Sequence, residues 1–206
     1  MHTKEYITAG KDLKQAKKAL IMLHGRGAQA SDILSLAPHL QVSDYALVAP
    51  QATNYTWYPY SFMANPNHNE PWLSSALDVV GEVVKDIEAA GIPKENIYFL
   101  GFSQGACLTL EYVTRNATKW GGVVAFTGGL IGDVLYTEKY KGDFAGTPVF
   151  IGTSDPDPHV PVRRVQDSTR ILQGLHANVT EKVYPNMGHT VSQGEIDQAN
   201  KLVFKS

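Results

Sequence analysis

Asn96-Ile97-Tyr98-Phe99-Leu100-Gly101-Phe102-Ser103-Gln104-Gly105-Ala106 is the stretch on which the fold turns. Its first half is apolar on both faces, which suits a strand buried inside a parallel sheet covered by helices. Its second half is a G-x-S-x-G sequence. From Ala106 the pattern becomes helical, through Leu108, Leu110 and Tyr112. A strand, a tight turn flanked by glycines and then a helix is the setting that lifts a serine hydroxyl above the end of a sheet, at a helix N-terminus. The competing reading is a glycine-rich turn in which Ser103 only caps the helix.

Outward from this stretch, short apolar runs alternate with longer segments of helical period. Residues 19–23, 46–49, 123–126 and 149–151 read as buried strands, and 183–184 as a weaker one. Leu73, Ala76, Leu77, Val80, Val83, Val84 and Ile87 step by three and four, giving one apolar helical face that ends at Gly91 and Pro93. Further helices are expected over roughly 161–175 and from Ser192, where Ser192-Gln193-Gly194-Glu195 matches a capping box. His39 and His176 are assigned to helical segments, and His68 to a polar loop. The alternation predicts an α/β fold, with a mostly parallel central sheet, helices on both faces and functional residues at the carboxyl ends of the strands.

The chain has 206 residues, 43% of them apolar and 18% charged, with a formal net charge of -2. This fits one domain, residues 1–206, with one sizeable core. No basic stripe points to nucleic acid; the cluster Lys11, Lys14, Lys17 and Lys18 reads as a solvated approach to the first core strand. Cys107 is the one cysteine, so no intrachain disulfide is expected. No apolar run approaches the roughly 18 residues of a membrane span, and no stable membrane insertion is expected. Residues 1–18 lack the apolar centre of a signal peptide, which makes the cytoplasm the expected location. Oligomeric state is left open between monomer and homodimer.

A serine hydroxyl needs a base near neutral pH. His189, in Asn186-Met187-Gly188-His189 before the last helix, is the candidate that fits the expected chain order of serine, acid, histidine. The acid is expected in Gly152-Thr153-Ser154-Asp155-Pro156-Asp157-Pro158-His159-Val160-Pro161, which offers Asp155 and Asp157. A metal site on Asp155, Asp157 and His159 is disfavoured because no further ligand cluster accompanies them. An oxyanion hole needs two main-chain N–H groups. Gln104 and, through Leu23-His24-Gly25-Arg26-Gly27, Arg26 are the expected donors. The long irregular stretch 51–72 reads as a lid or binding wall. Trp57 and Tyr58, with His24, are its candidate pocket residues, the alternative being that the aromatics anchor the loop itself.

Taken together, Leu23-His24-Gly25, Gly101 to Ala106, the 152–161 loop and Gly188-His189 resemble the phospholipase/carboxylesterase family, which includes the acyl-protein thioesterases. A bacterial branch carrying Trp57-Tyr58-Pro59 and Asn69-Glu70-Pro71 is more similar still. The resemblance implies an α/β-hydrolase fold without a large cap domain, a cofactor-free serine carboxylesterase acting on small-molecule esters, and a triad of Ser103, an Asp and His189. Thioesters and lysophospholipids are further substrates it implies. Two departures stand out. Arg26-Gly27 replaces a Leu-Gly pair, which favours polar or anionic substrates over long acyl chains. The acid loop is two residues longer than the family's pattern: counting from Gly152 selects Asp155, counting back from Val160-Pro161 selects Asp157, and the second is preferred. The alternatives in other classes are a non-catalytic ligand-binding protein on this fold and a lactone hydrolase.

Overall fold

Apolar residues at consecutive positions can all be buried only if both faces of a strand are covered, and that condition sets the architecture. The computed structural model describes residues 1–205. Among them β1 (Tyr6–Gly10), β2 (Ala19–Leu23), β3 (Ala46–Pro50), β4 (Ile97–Phe102), β5 (Gly122–Phe126), β6 (Pro148–Asp155) and β7 (Asn178–Pro185) form one sheet, in the order β1-β3-β2-β4-β5-β6-β7. β1 runs antiparallel to β3, and every other neighbouring pair is parallel.

Alternate residues of each central strand enter two separate cores. Ile21, Phe99, Val123 and Ile151 pack toward α3 (Trp72–Ala89), α4 (Gln104–Arg115) and α5 (Val162–Gly174). Met22, Leu100, Val124 and Phe150 pack toward α1 (Ala30–Leu34) and α6 (Gln193–Leu202). Helices therefore cover both faces, as expected, and among the described residues no large cap domain sits over the sheet. One further short helix, α2 (Pro66–Asn69), interrupts the long connection between β3 and α3.

The edges depart from the sequence reading. β1 has no apolar run to announce it, because as an edge strand it is largely solvated, with Ile7 44% exposed. β7 is the opposite edge and extends well beyond the two residues expected, since most of its side chains face solvent. His176 is not helical: it follows the end of α5 with φ 63°. His68 lies in α2 rather than in a loop.

The capping box forms at α6. Ser192 Oγ accepts from Glu195 N at 3.3 Å, and Ser192 N donates to Glu195 Oε2 at 2.9 Å. Glu195 is wholly buried against Gly152, where any side chain would collide with the carboxylate. Burial pushes its pKa up to about 7, against the opposing pull of its bonds from Ser192. A carboxyl whose pKa is higher folded than unfolded binds its proton more tightly in the native state. Stability is then fully present below the unfolded value and declines as pH rises toward about 7. Glu195→Gln keeps the cap without the charge. It is expected to raise unfolding free energy by about 1–3 kcal/mol at alkaline pH and to change little near pH 4.5. Urea denaturation at the two pH values checks this, and a destabilised variant at alkaline pH would contradict it.

Candidate active site

The end of β4 delivers Ser103 into a conformation that few non-glycine residues adopt, φ 54° and ψ -118°. Such backbone costs about 1–3 kcal/mol and persists only where surroundings enforce it. Here Ser103 N donates to Phe126 O at 3.0 Å, and Cys107 N donates to Ser103 O at 3.0 Å. The flanking glycines are required sterically: a side chain at Gly105 would meet Leu23 O, and one at Gly101 would meet Gly105 O. Ser103 stands at the N-cap of α4, yet its hydroxyl makes no capping bond. It meets His189 Nε2 at 2.7 Å instead.

His189 reaches it from the β7–α6 loop. Asn186 and Gly188, both with positive φ, turn that loop back over the sheet. Gly188 N donates to Ser154 Oγ at 2.9 Å, which fixes the turn. The imidazole lies between Phe102, 5.3 Å away between ring centres, and His159, 4.9 Å away and edge-on. On its far side His189 Nδ1 is 2.9 Å from Asp157 Oδ2.

The Asp157 side chain is completely buried. Its other oxygen, Oδ1, accepts from His159 N and Val160 N, both at 2.8 Å. Burial works to raise the Asp157 pKa, but the amide of His159, the ring of His189 and the amide of Val160 together outweigh it. The carboxyl is held below the usual carboxylate range. Asp155 is exposed at the end of β6, where its backbone pairs with Pro185. Of the two candidate acids, it is Asp157 that the fold brings to His189.

Gln104 and Arg26 flank the serine, and neither main-chain N–H has an acceptor among the described residues. Gly25 brings the β2 loop against Phe102 and Ser103. Gly27 N donates to Tyr55 O at 2.7 Å, tying this loop to the 51–72 connection.

These groups open onto a cavity of about 560 Å³. One wall is residues 58–62, and His159 and Val160 stand among the remaining lining. Tyr58 lines it as expected. His24 and Trp57 do not, and the expectation is corrected for a physical reason: both are fully buried beneath the wall. His24 Nδ1–H donates to Gly25 O at 2.7 Å, and Nε2 accepts from Ala52 N at 3.1 Å, the bonding of a neutral ring. Trp57 Nε1 donates to His24 O at 2.9 Å. The aromatics largely anchor the loop.

Other anchors carry no sequence signal of their own. The Gln104 side chain accepts from Trp57 N and donates to Tyr58 O, each at 2.8 Å. Asn69 accepts from Tyr60 N and donates to Ser61 O. His2 is a further anchor: its ring meets Trp57 O at 2.8 Å and accepts from Thr53 N at 3.1 Å. Cys107 is buried on α4, where it packs in the core and also lines the cavity, with its thiol pushed up to about 12, chiefly by burial.

A sequence model for proteins described as phospholipase/carboxylesterase matches residues 3–205. The chain belongs to the phospholipase/carboxylesterase family. Within that family it is 59% identical to a phospholipase/carboxylesterase from Dyadobacter fermentans of known structure. The two superpose with a TM-score of 0.98, over 99% of this chain and 98% of the other. Acyl-protein thioesterase 1 of Kluyveromyces lactis is 28% identical over 93% of this chain and 92% of its own length. A carboxylesterase from Bacillus cereus, at 22% identity, shares the fold with a TM-score of 0.78, over 96% of this chain and 92% of its own. Membership in this family of carboxylesterases and thioesterases makes the protein a hydrolase of the α/β-hydrolase type. No helix among the described residues is long and apolar enough to cross a membrane.

Proposed function

We propose that the chain is a single α/β-hydrolase domain acting as a serine carboxylesterase on small to medium carboxylic esters, through an acyl-enzyme. The observation that carries the reading is the contact of His189 Nε2 with Ser103 Oγ at 2.7 Å, backed by Asp157 on Nδ1. In this reading Ser103 Oγ attacks the ester carbonyl as His189 Nε2 takes its proton. The main-chain N–H groups of Arg26 and Gln104 receive the oxyanion. His189 then passes the proton to the leaving alkoxide, and the C–O bond to the alcohol breaks. Water, deprotonated in turn by His189, releases the acid and restores the serine. Asp157 stays ionised throughout, holding the ring with Nδ1 protonated and stabilising the imidazolium. Every step uses groups of the chain and the substrate, so the mechanism calls for no cofactor.

Thioesters pass through the same tetrahedral species. The name of the Kluyveromyces lactis relative, an acyl-protein thioesterase, favours them as a second substrate class. A cytoplasmic location belongs to the same reading and agrees with the single, buried cysteine. The test is hydrolysis of p-nitrophenyl esters from acetate to octanoate, alongside matching thioesters and simple lactones. Turnover is expected for the short and medium esters, falling as the chain outgrows the cavity. No turnover on any of them would favour a binding protein instead, and activity confined to lactones would favour a lactone hydrolase.

A further inference from the structure

Among the described residues, Arg26 is the one fixed positive charge that lines this cavity. Its guanidinium is clasped by neutral acceptors only. Nη1 donates to Thr56 Oγ1 at 2.9 Å and to Pro59 O at 3.0 Å, and Nη2 donates to Tyr60 O at 2.8 Å. A guanidinium has five N–H groups, so the clasp leaves part of the donor fork free. No ion pair among the described residues involves Arg26. Among the described residues no Asp or Glu lines the cavity, and two imidazoles do, those of His159 and His189. An arginine that merely tied down a loop would lose nothing by having a carboxylate beside it. One that is held in place, charged and unneutralised in the cavity that Ser103 also lines is preorganised for an anion.

We propose that the substrate carries a carboxylate as well as the ester, and that the Arg26 guanidinium holds it while Ser103 attacks the carbonyl. The proposal rests on the esterase reading of the same cavity. It assigns the substrates to half-esters of dicarboxylic acids or esters of hydroxy acids. Because Arg26 is exposed, the preference is expected to weaken as salt rises.

The experiment compares matched pairs that differ only in charge. Methyl adipate monoester against methyl hexanoate places the carboxylate on the acyl side. 3-Butanoyloxypropanoate against propyl butanoate places it on the alcohol side. In wild type at low salt, one pair is expected to show kcat/KM at least about tenfold higher for the anion, a charge-assisted bond's usual worth. Arg26→Gln also removes the clasp on the cavity wall, so its absolute rates fall for both members of a pair; the ratio of charged to neutral ester is what it is expected to abolish, and Arg26→Lys is expected to retain part of that ratio. Equal rates within both pairs, or a fall of charged and neutral esters by the same factor in Arg26→Gln, would overturn the proposal and leave Arg26 as a clasp alone. Should none of the four esters turn over, the esterase reading fails separately. Calorimetry with adipate then decides the anion site: saturable binding lost in Arg26→Gln supports it, and no binding overturns it.

Discussion

Ser103→Ala is expected to lower kcat for p-nitrophenyl butyrate by about 10⁶. The alanine removes the atom that forms the covalent bond and leaves the rest of the site standing. Backbone strain at position 103 is already present with serine, so the variant should fold, and its thermal unfolding should match wild type closely. His189→Ala is expected to cost a similar factor. The two changes together should cost no more than either alone, because nucleophile and base act as one unit. Residual rates should sit about 10³–10⁴ above water, from the oxyanion donors and binding. Steady-state kinetics on the three variants checks this. Multiplying losses in the double variant would mean that the two side chains work independently, against the 2.7 Å contact between them.

The second large effect is at Asp157. Asp157→Asn is expected to reduce kcat by about 10⁴, and Asp155→Asn by no more than about threefold. The asymmetry has a structural cause. The amides of His159 and Val160 both donate to Oδ1 of residue 157. An asparagine there must place its carbonyl oxygen toward those amides and its NH₂ toward His189. The ring is then forced to accept at Nδ1 and carry its proton on Nε2, where it can no longer take one from Ser103. Asp155 has an exposed carboxylate at the end of β6 and reaches neither residue. Measuring both variants on one ester decides the point; a larger loss at Asp155 would reassign the acid.

The sequence made the centre of this molecule legible because burial constrains it from every side. Strands β2 to β6 had to be apolar on both faces, and the elbow had to have glycines where Leu23 O and Gly105 O approach. The expected helix over 73–87 is observed as Trp72–Ala89, and that over 161–175 as Val162–Gly174. What stayed hidden lies where burial is one-sided or where polar side chains act on distant backbone. β1 and β7 are edges and need no apolar run. The two candidate acids are the same residue type two positions apart; counting back from Val160-Pro161 prefers Asp157, but the physical reason, a turn that presents Oδ1 to two amides, is not legible in the sequence. Trp57 looked like pocket because aromatic residues in a long loop suit either role. His24 and Gln104 decide the matter by pinning the loop from below. The same loop holds what the sequence does not show about Arg26: the acceptors that fix its guanidinium are 30 or more residues away.

The measurement closest to the central claim is made on the serine itself. Wild-type protein mixed with p-nitrophenyl butyrate, quenched in acid within one turnover and weighed intact, is expected to gain the mass of one butanoyl group. Peptide mapping should place that group on Ser103, and Ser103→Ala should gain nothing. Turnover with no acylated protein, or an acyl group carried on a residue other than Ser103, would contradict the account.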